Sequence, residues 1–182
     1  MEDAGVTRSP VFKAATLGIL TAVTAVFTIL IRIPIPATTG YFNFSDVAVF
    51  FAAFSFGPVT AAVAGGVGTA LADLIAGYAQ WAPISLLAHG LEGLVAGLIV
   101  RLARKRGAEG AGATLAWWIV GGVAGGAWMV AAYLGGGSLL AGAGALAEVP
   151  FNLVQAGVGI AVGILLTVSI RRAYPPVRGY SW

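Results

Sequence analysis

Cysteine is absent from the 182 residues, and histidine occurs once. Without cysteine there are no disulfides, no thiolate chemistry and no zinc–cysteine sites. One histidine with no HExxH pattern is a poor ligand set, so no metal site is expected. Charge is scarce too: Asp, Glu, Lys and Arg make up 9% of the chain, against roughly a quarter in soluble domains. The formal net charge of +3 is too small to argue for nucleic acid. Nucleotide-hydrolysing motifs are missing as well. The glycine-rich stretches GGVGTALAD and GAEGAG lack the lysine–hydroxyl ending of a phosphate-binding loop. There is no Ser–His–Asp set and no nucleophile elbow. The chain is therefore expected to be no enzyme and to need no cofactor. If it moves a solute uphill, the energy must come from an ion or from partner subunits.

What the chain has in abundance is apolar sequence: 59% hydrophobic residues and a mean hydropathy of +0.93. Several runs approach the ~20 residues a helix needs to cross a ~30 Å hydrocarbon layer. These runs are too long and too uniformly apolar for the alternating strands of a β-barrel. The expectation is an all-α integral membrane protein, a single membrane domain over residues 1–182 with six transmembrane helices. Their approximate spans are 11–31, 44–56, 59–76, 83–103, 114–134 and 150–170. The second is short and spans only if it extends or if the protein shields its ends. The start MEDAGVTRSPVF is acidic before it is basic, which reads as a retained helix.

Lysine and arginine set the orientation. Arg8 and Lys13 precede the first span, RLARKR (Arg101, Arg104, Lys105, Arg106) separates the fourth and fifth, and Arg171, Arg172 and Arg178 follow the sixth. Only Arg32 is basic on the other side. Both termini are expected in the cytoplasm. The outer side then receives RIPIPATTGYFN, GYAQW and the stretch GGGSLLAGAGALAEVP as loops.

On that topology every intramembrane polar group lies in the outer half. Ser85, His89 and Glu92 are spaced four and three, and so share one helix face. Glu148, Asn152 and Gln155 repeat the spacing on the last helix. Two such stripes suggest the walls of an outward-opening pocket. A charge at bilayer mid-depth costs about 2.5–3.5 kcal/mol on insertion scales, so ionisable groups there face a bundle interior or a cavity. The plainer reading of His89–Glu92 is an interhelical packing pair. Asn43 and Asp46 have the spacing of a helix cap, and Glu148 before Pro150 could be only a cap. Asp73, near a helix C-terminus, needs a partner, and Arg32 is available on that side. Whether Asp46, Asp73 and Glu148 are structural or meet a ligand stays open. Tyr41, Phe42, Tyr78 and Trp81 read as interfacial aromatics that could also stack on a planar ligand. Ala14, Gly18 and Ala22 form a small-residue stripe on the first helix. Gly121–Gly125 and Gly122–Gly126 do the same on the fifth.

The segments IPIP, GYFNFSD, FGP, GGVGTALADLIAGYAQWAP and HGLEGLVAGL, in this order, resemble the substrate-binding S components of energy-coupling factor (ECF) transporters. The subgroup most similar contains riboflavin-type and hydroxymethylpyrimidine- or pyridoxine-type components. His89 stands where lysine is expected before GLEG, so no particular substrate carries over. The resemblance implies a multi-pass protein of a prokaryotic plasma membrane that binds a small water-soluble vitamin or precursor near its outer face. It implies that residues 32–43 act as a lid. It matches Ala14, Gly18 and Ala22 to the surface that meets a transmembrane coupling subunit, and it adds two cytoplasmic ATPase subunits. Toppling in the bilayer would release substrate inward. On this reading Asp73, His89, Glu92, Asn152 and Gln155 are polar anchors, and Arg32, Tyr41, Tyr78 and Trp81 are rim or lid contacts. The rival is a stand-alone proton-coupled carrier using His89 and Glu92 as its relay. A purely structural subunit is a third class.

Overall fold

The computed structural model describes residues 9–107 and 110–180. Arg8, used above for orientation, and Ala108 and Glu109 of GAEGAG lie outside the described residues. Among the described residues six α-helices follow one another: α1 (Pro10–Leu30), α2 (Ser45–Ser55), α3 (Pro58–Ala76), α4 (Ala82–Lys105), α5 (Ala111–Ala141) and α6 (Val149–Ala173). Between α1 and α2 the chain forms a small hairpin, β1 (Ile33–Ile35) with β2 (Gly40–Phe42). Its antiparallel register pairs Ile33 with Phe42 and Ile35 with Gly40.

Local chemistry accounts for the helix ends. Ser9 caps α1, its hydroxyl accepting from the Phe12 amide at 3.1 Å, with Pro10 at the first helical position. Proline also opens α3, α4 and α6 within the first two positions. Gly77 ends α3 in the left-handed conformation, φ 85°, which an L side chain rarely adopts.

Three helices, α1, α3 and α4, are long and apolar enough to cross a membrane, as is the run Ala111–Ala173 that contains α5 and α6. The short second element is α2, with 11 residues, every one buried except Phe51. It runs through the middle of the bundle and is shielded from the surroundings by its neighbours. The expected outer loop GGGSLLAGAGALAEVP is mostly helical instead. α5 continues to Ala141, and a 3₁₀ segment, Gly142–Glu148, leads into α6. Two of the three helical glycines there are in close packing: a Cβ on Gly136 would lie 2.8 Å from Ile84, and one on Gly137 3.3 Å from Trp81.

Helix α4 is wedged between two backbones. A Cβ on Gly65 of α3 would stand 2.7 Å from the His89 carbonyl oxygen, and one on Gly125 of α5 2.6 Å from that of Glu92. Only glycine permits that approach. The seams fix α4 at the turn that carries His89 and Glu92. Gly121 and Gly122 likewise bring α5 against α4 and α6, as the small-residue spacing predicts. At the end remote from the hairpin, Phe50, Phe54 and Trp118 stack face to face in an apolar core (centroids 5.8 Å apart). There Arg104 and Arg171 both donate to the Phe54 carbonyl, at 3.1 and 2.7 Å.

α1 is attached through Leu20, Thr24 and Thr28, its buried residues. The two threonines satisfy their hydroxyls on their own helix, bonding the carbonyls of Leu20 and Thr24. Ala14, Gly18 and Ala22 point the other way and are exposed, with open space around the Gly18 Cα.

Candidate functional site

The hairpin lies across one end of the bundle and closes a cavity. Its walls come from α1 (Thr28), the hairpin (Gly40, Tyr41), α3 (Thr69, Asp73), α4 (Trp81 just before it, Ser85), α5 (Tyr133) and α6 (Asn152, Gln155). The walls are nearly in contact and leave about 20 Å³ open, room for about one water-sized sphere. Several polar atoms here are buried and have no hydrogen-bond partner within the protein: Asp73 Oδ2, Trp81 Nε1 and Asn152 Nδ2. Buried donors and acceptors left open cost about 1–3 kcal/mol each, so they converge without a partner only where one is supplied.

Three hydrogen bonds tie the hairpin segment down. The Tyr41 hydroxyl donates to Asp73 Oδ1 at 2.5 Å. The Thr38 hydroxyl donates to Glu148 Oε1. The Asn43 amide donates to Gln155 Oε1 at 3.0 Å. Burial, and then the nearby Asp73 carboxylate, push the Tyr41 hydroxyl well above its ordinary pKa, so it remains a donor. Arg32 sits outside, its guanidinium 6.0 Å from the Tyr41 ring centre, and the Tyr78 ring meets Tyr41 edge-on at 4.7 Å.

Below the cavity, out of its lining, lies a fully buried cluster. His89 Nδ1 is 2.9 Å from Glu92 Oε2 and 3.3 Å from Asp46 Oδ1. Gln155 links floor and cavity: its side-chain nitrogen donates to Asp46 Oδ1 at 2.9 Å while its oxygen holds Asn43. Tyr133 links them a second way, with its ring edge on His89 (5.5 Å) and its hydroxyl 2.7 Å from that of Ser85. Asp46 Oδ2, His89 Nε2 and Glu92 Oε1 have no partner within the protein. The three side chains present donor atoms within 4.8 Å of one another, a set compatible with a cation. A metal was not expected because one histidine without HExxH is a poor ligand set; the carboxylate that joins His89 and Glu92 comes from Asp46, two helices away in sequence.

The structure therefore brings Asp73, Asn152, Gln155, Tyr41 and Trp81 together at the cavity and places His89 and Glu92 beneath it. It moves several others. Of the expected capping pair only Asn43 bonds the helix start, its side-chain oxygen accepting from the Ser45 amide at 2.8 Å. Asp46 makes no capping bond, and its carboxylate turns inward to Gln155 and His89. Arg32 forms no ion pair with Asp73, because Tyr41 stands between them. Glu148 does not cap α6 with its side chain but holds Thr38. Trp81 is a buried wall rather than a rim residue, 3% exposed. Thr28 and Tyr133 were missed. Thr28 gives a weak signal, the Thr24–Thr28 spacing on one face of α1; Tyr133 gives none, as a lone aromatic in an apolar run.

A family model described as the S component of ECF-type riboflavin transporters matches residues 10–172. The chain belongs to this family. It is a multi-pass membrane protein, as the family and its apolar helices both indicate. Among relatives, a protein of Pyrococcus woesei described only as uncharacterized, in the gap 3' region, is 41% identical over 153 residues, covering 84% of this chain and 97% of that one. The thiamine precursor transporter HmpT of Lactococcus lactis subsp. cremoris is 40% identical over 87 residues, 47% of this chain and 52% of HmpT. A solved S component of a bacterial ECF transporter has the same fold: TM-score 0.61 over 88% of this chain and 95% of that one, at 20% identity.

Proposed function

We propose that this S component captures a water-soluble vitamin or vitamin precursor in the cavity under the hairpin, as the substrate-specific subunit of an ATP-driven ECF uptake transporter. The cavity walls, which now leave about 20 Å³, must part further to admit it. The observation that carries the reading is that Asp73 Oδ2, Trp81 Nε1 and Asn152 Nδ2, buried and without partners in the protein, belong to residues lining one cavity. These atoms offer one acceptor and two kinds of donor around aromatic walls, which suits a flat heteroaromatic molecule with polar edges. The relatives support the class: one is named for thiamine-precursor transport, and the family model for riboflavin. Asp73, Trp81, Asn152 and Gln155 would contact the ligand directly. Tyr41 would latch the hairpin, with Arg32 and Tyr78 bracing it from outside. His89 and Glu92, with Asp46, would form a polar floor that fixes Gln155.

The same reading has both termini cytoplasmic, six spans in one membrane domain and the cavity facing outward, in a prokaryotic plasma membrane. A transmembrane coupling subunit would dock on the exposed Ala14, Gly18 and Ala22 face, where no side chain prevents close helix approach. Two cytoplasmic ATPase subunits would supply the energy. The test is a thermal-shift and calorimetric screen of the solubilised chain against B-group vitamins and their precursors. One member should stabilise the protein, and Asn152→Ala and Asp73→Asn should each weaken its binding at least tenfold. A flat response across the panel, with nothing co-purifying, defeats the proposal.

One observation favours a second reading. The fully buried Asp46–His89–Glu92 cluster is the kind of group a proton relay requires. A stand-alone proton-coupled carrier would take up solute in liposomes containing this chain alone under a pH gradient. The partner-dependent reading gives no uptake there.

A further inference from the structure

The end of the bundle remote from the hairpin carries a groove of about 490 Å³ that the vitamin-binding reading does not use. Arg171, Arg172 and Arg178 line it together with Trp118, Leu115 and Val168. Among the described residues no carboxylate reaches it. The four described ones, Asp46, Asp73, Glu92 and Glu148, belong to the hairpin end.

Several features equip the groove for an anion. Arg171 is held in place: one of its terminal nitrogens donates to the Phe54 carbonyl at 2.7 Å, and its guanidinium lies 4.8 Å from the Trp118 ring centre. Its Nε is buried and has no partner within the protein. Arg172 and Arg178 are exposed and free to close on a ligand. The first turn of the 31-residue helix α5 opens into the same groove through Gly110, Ala111 and Thr114. That helix start has no side-chain cap and no acidic residue in its first turn, so its amides add positive potential. The flank is apolar. Leu115 is 42% exposed, and Val168 continues the wall along the membrane-crossing part of α6.

Three guanidiniums and a helix start select a phosphate; an apolar flank running into the membrane selects one that carries hydrocarbon. We propose that this groove binds the headgroup of an anionic phospholipid, its phosphate held by Arg171, Arg172 and Arg178 and its chains lying along Leu115 and Val168. Clustered basic residues at a membrane boundary recognise anionic lipid through this chemistry. The proposal does not depend on what the hairpin cavity binds.

The experiment is native mass spectrometry of the full chain in detergent, titrated with phosphatidylglycerol, phosphatidylcholine or sodium phosphate. Phosphatidylglycerol should be retained at least tenfold better than phosphatidylcholine, and millimolar phosphate should not displace it. The double variant Arg172→Gln/Arg178→Gln should lose that preference while melting in detergent at the wild-type temperature. Arg178→Gln alone, in the exposed C-terminal turn, should lose part of it and guards against misfolding of the double variant. Lys105→Gln/Arg106→Gln, basic positions outside the groove, should keep it. Equal binding of the two lipids, or wild-type retention by the groove variants, overturns the proposal. Displacement by phosphate would mark a free-anion site, and unchanged lipid binding with failed transporter assembly would mark a protein interface; either result also overturns it.

Discussion

Removing one oxygen atom from Tyr41 shows how the hairpin is held. Its hydroxyl donates to the Asp73 carboxylate, and a hydrogen bond to a charged group is worth about 1.5–3 kcal/mol. Tyr41→Phe keeps the ring against Tyr78 and loses only that latch. Once a ligand is known, its dissociation rate should rise roughly tenfold or more with a smaller change in association, because a freed lid opens more often without altering the walls. Stopped-flow release kinetics would read this directly, and an unchanged off-rate would mean that the hairpin is not the gate. Gln155 gives a complementary prediction. Gln155→Leu conserves most of the volume but strips a donor from Asp46 and an acceptor from the Asn43 amide, both buried. The Asn43 amide is then stranded, at about 1–3 kcal/mol, while Asp46 Oδ1 keeps only the Ser45 hydroxyl and His89, each at 3.3 Å. The loss should be visible as a lower melting temperature of the ligand-free protein. An unshifted melt would show that the Asn43 amide finds another acceptor.

At the scale of the helices, glycine carries different meanings on different faces, and substitution separates them. Gly65→Ala puts a methyl group 2.7 Å from the His89 carbonyl oxygen, which a helix backbone cannot yield without moving α3 from α4. Overpacking of this kind costs about 1–3 kcal/mol and here would also shift His89 and Glu92. Gly18→Ala meets nothing within 4 Å and should leave the isolated protein as stable or slightly more so, since alanine favours a helix over glycine by about 1 kcal/mol. Parallel thermal melts check the pair; equal destabilisation would mean that α1 packs where it is now exposed. The same contrast shows what was legible in the sequence. Helix α3, opened by Pro58 and closed by Gly77, lies within a residue of its expected bounds, because proline and glycine act through the local backbone. The polar stripes on α4 and α6 were equally readable from their spacing. The hairpin was not, since IPI and GYF are too short to show a period. Nor was the helical run through GGGSLLA, where glycine normally breaks helices and only the contact with Ile84 and Trp81 overrides it. The meeting of Asp46 with His89 was hidden for the same reason: it depends on which helices cross, and spacing along one helix does not report that.

Across the molecule, among the described residues, the carboxylates and the hairpin occupy one end and every arginine but Arg32 the other, and α2 is the element that joins them. At about 1.5 Å per residue its 11 residues reach about 16 Å, half of a hydrocarbon layer. A lipid-facing helix of that length would not span. α2 faces protein on nearly every side, so the layer it must bridge is set by its neighbours: the hairpin covers its start, and Arg104 and Arg171 take up the Phe54 carbonyl near its end. α2 therefore counts as a crossing: the hairpin and the α3–α4 turn meet through Tyr41 and Tyr78, and Tyr41 bonds Asp73, so both segments lie on one side. Because the chain has no cysteine, single substitutions at exposed positions give a clean measurement: Ala37→Cys in the hairpin turn, Ala79→Cys between α3 and α4, and Pro176→Cys after α6. In intact cells a membrane-impermeant maleimide should label Ala37→Cys and Ala79→Cys alike and leave Pro176→Cys unmodified until the cells are opened. Labelling of Pro176→Cys in intact cells, with Ala37→Cys and Ala79→Cys protected, would invert the whole bundle and place the arginine groove on the side now assigned to the vitamin.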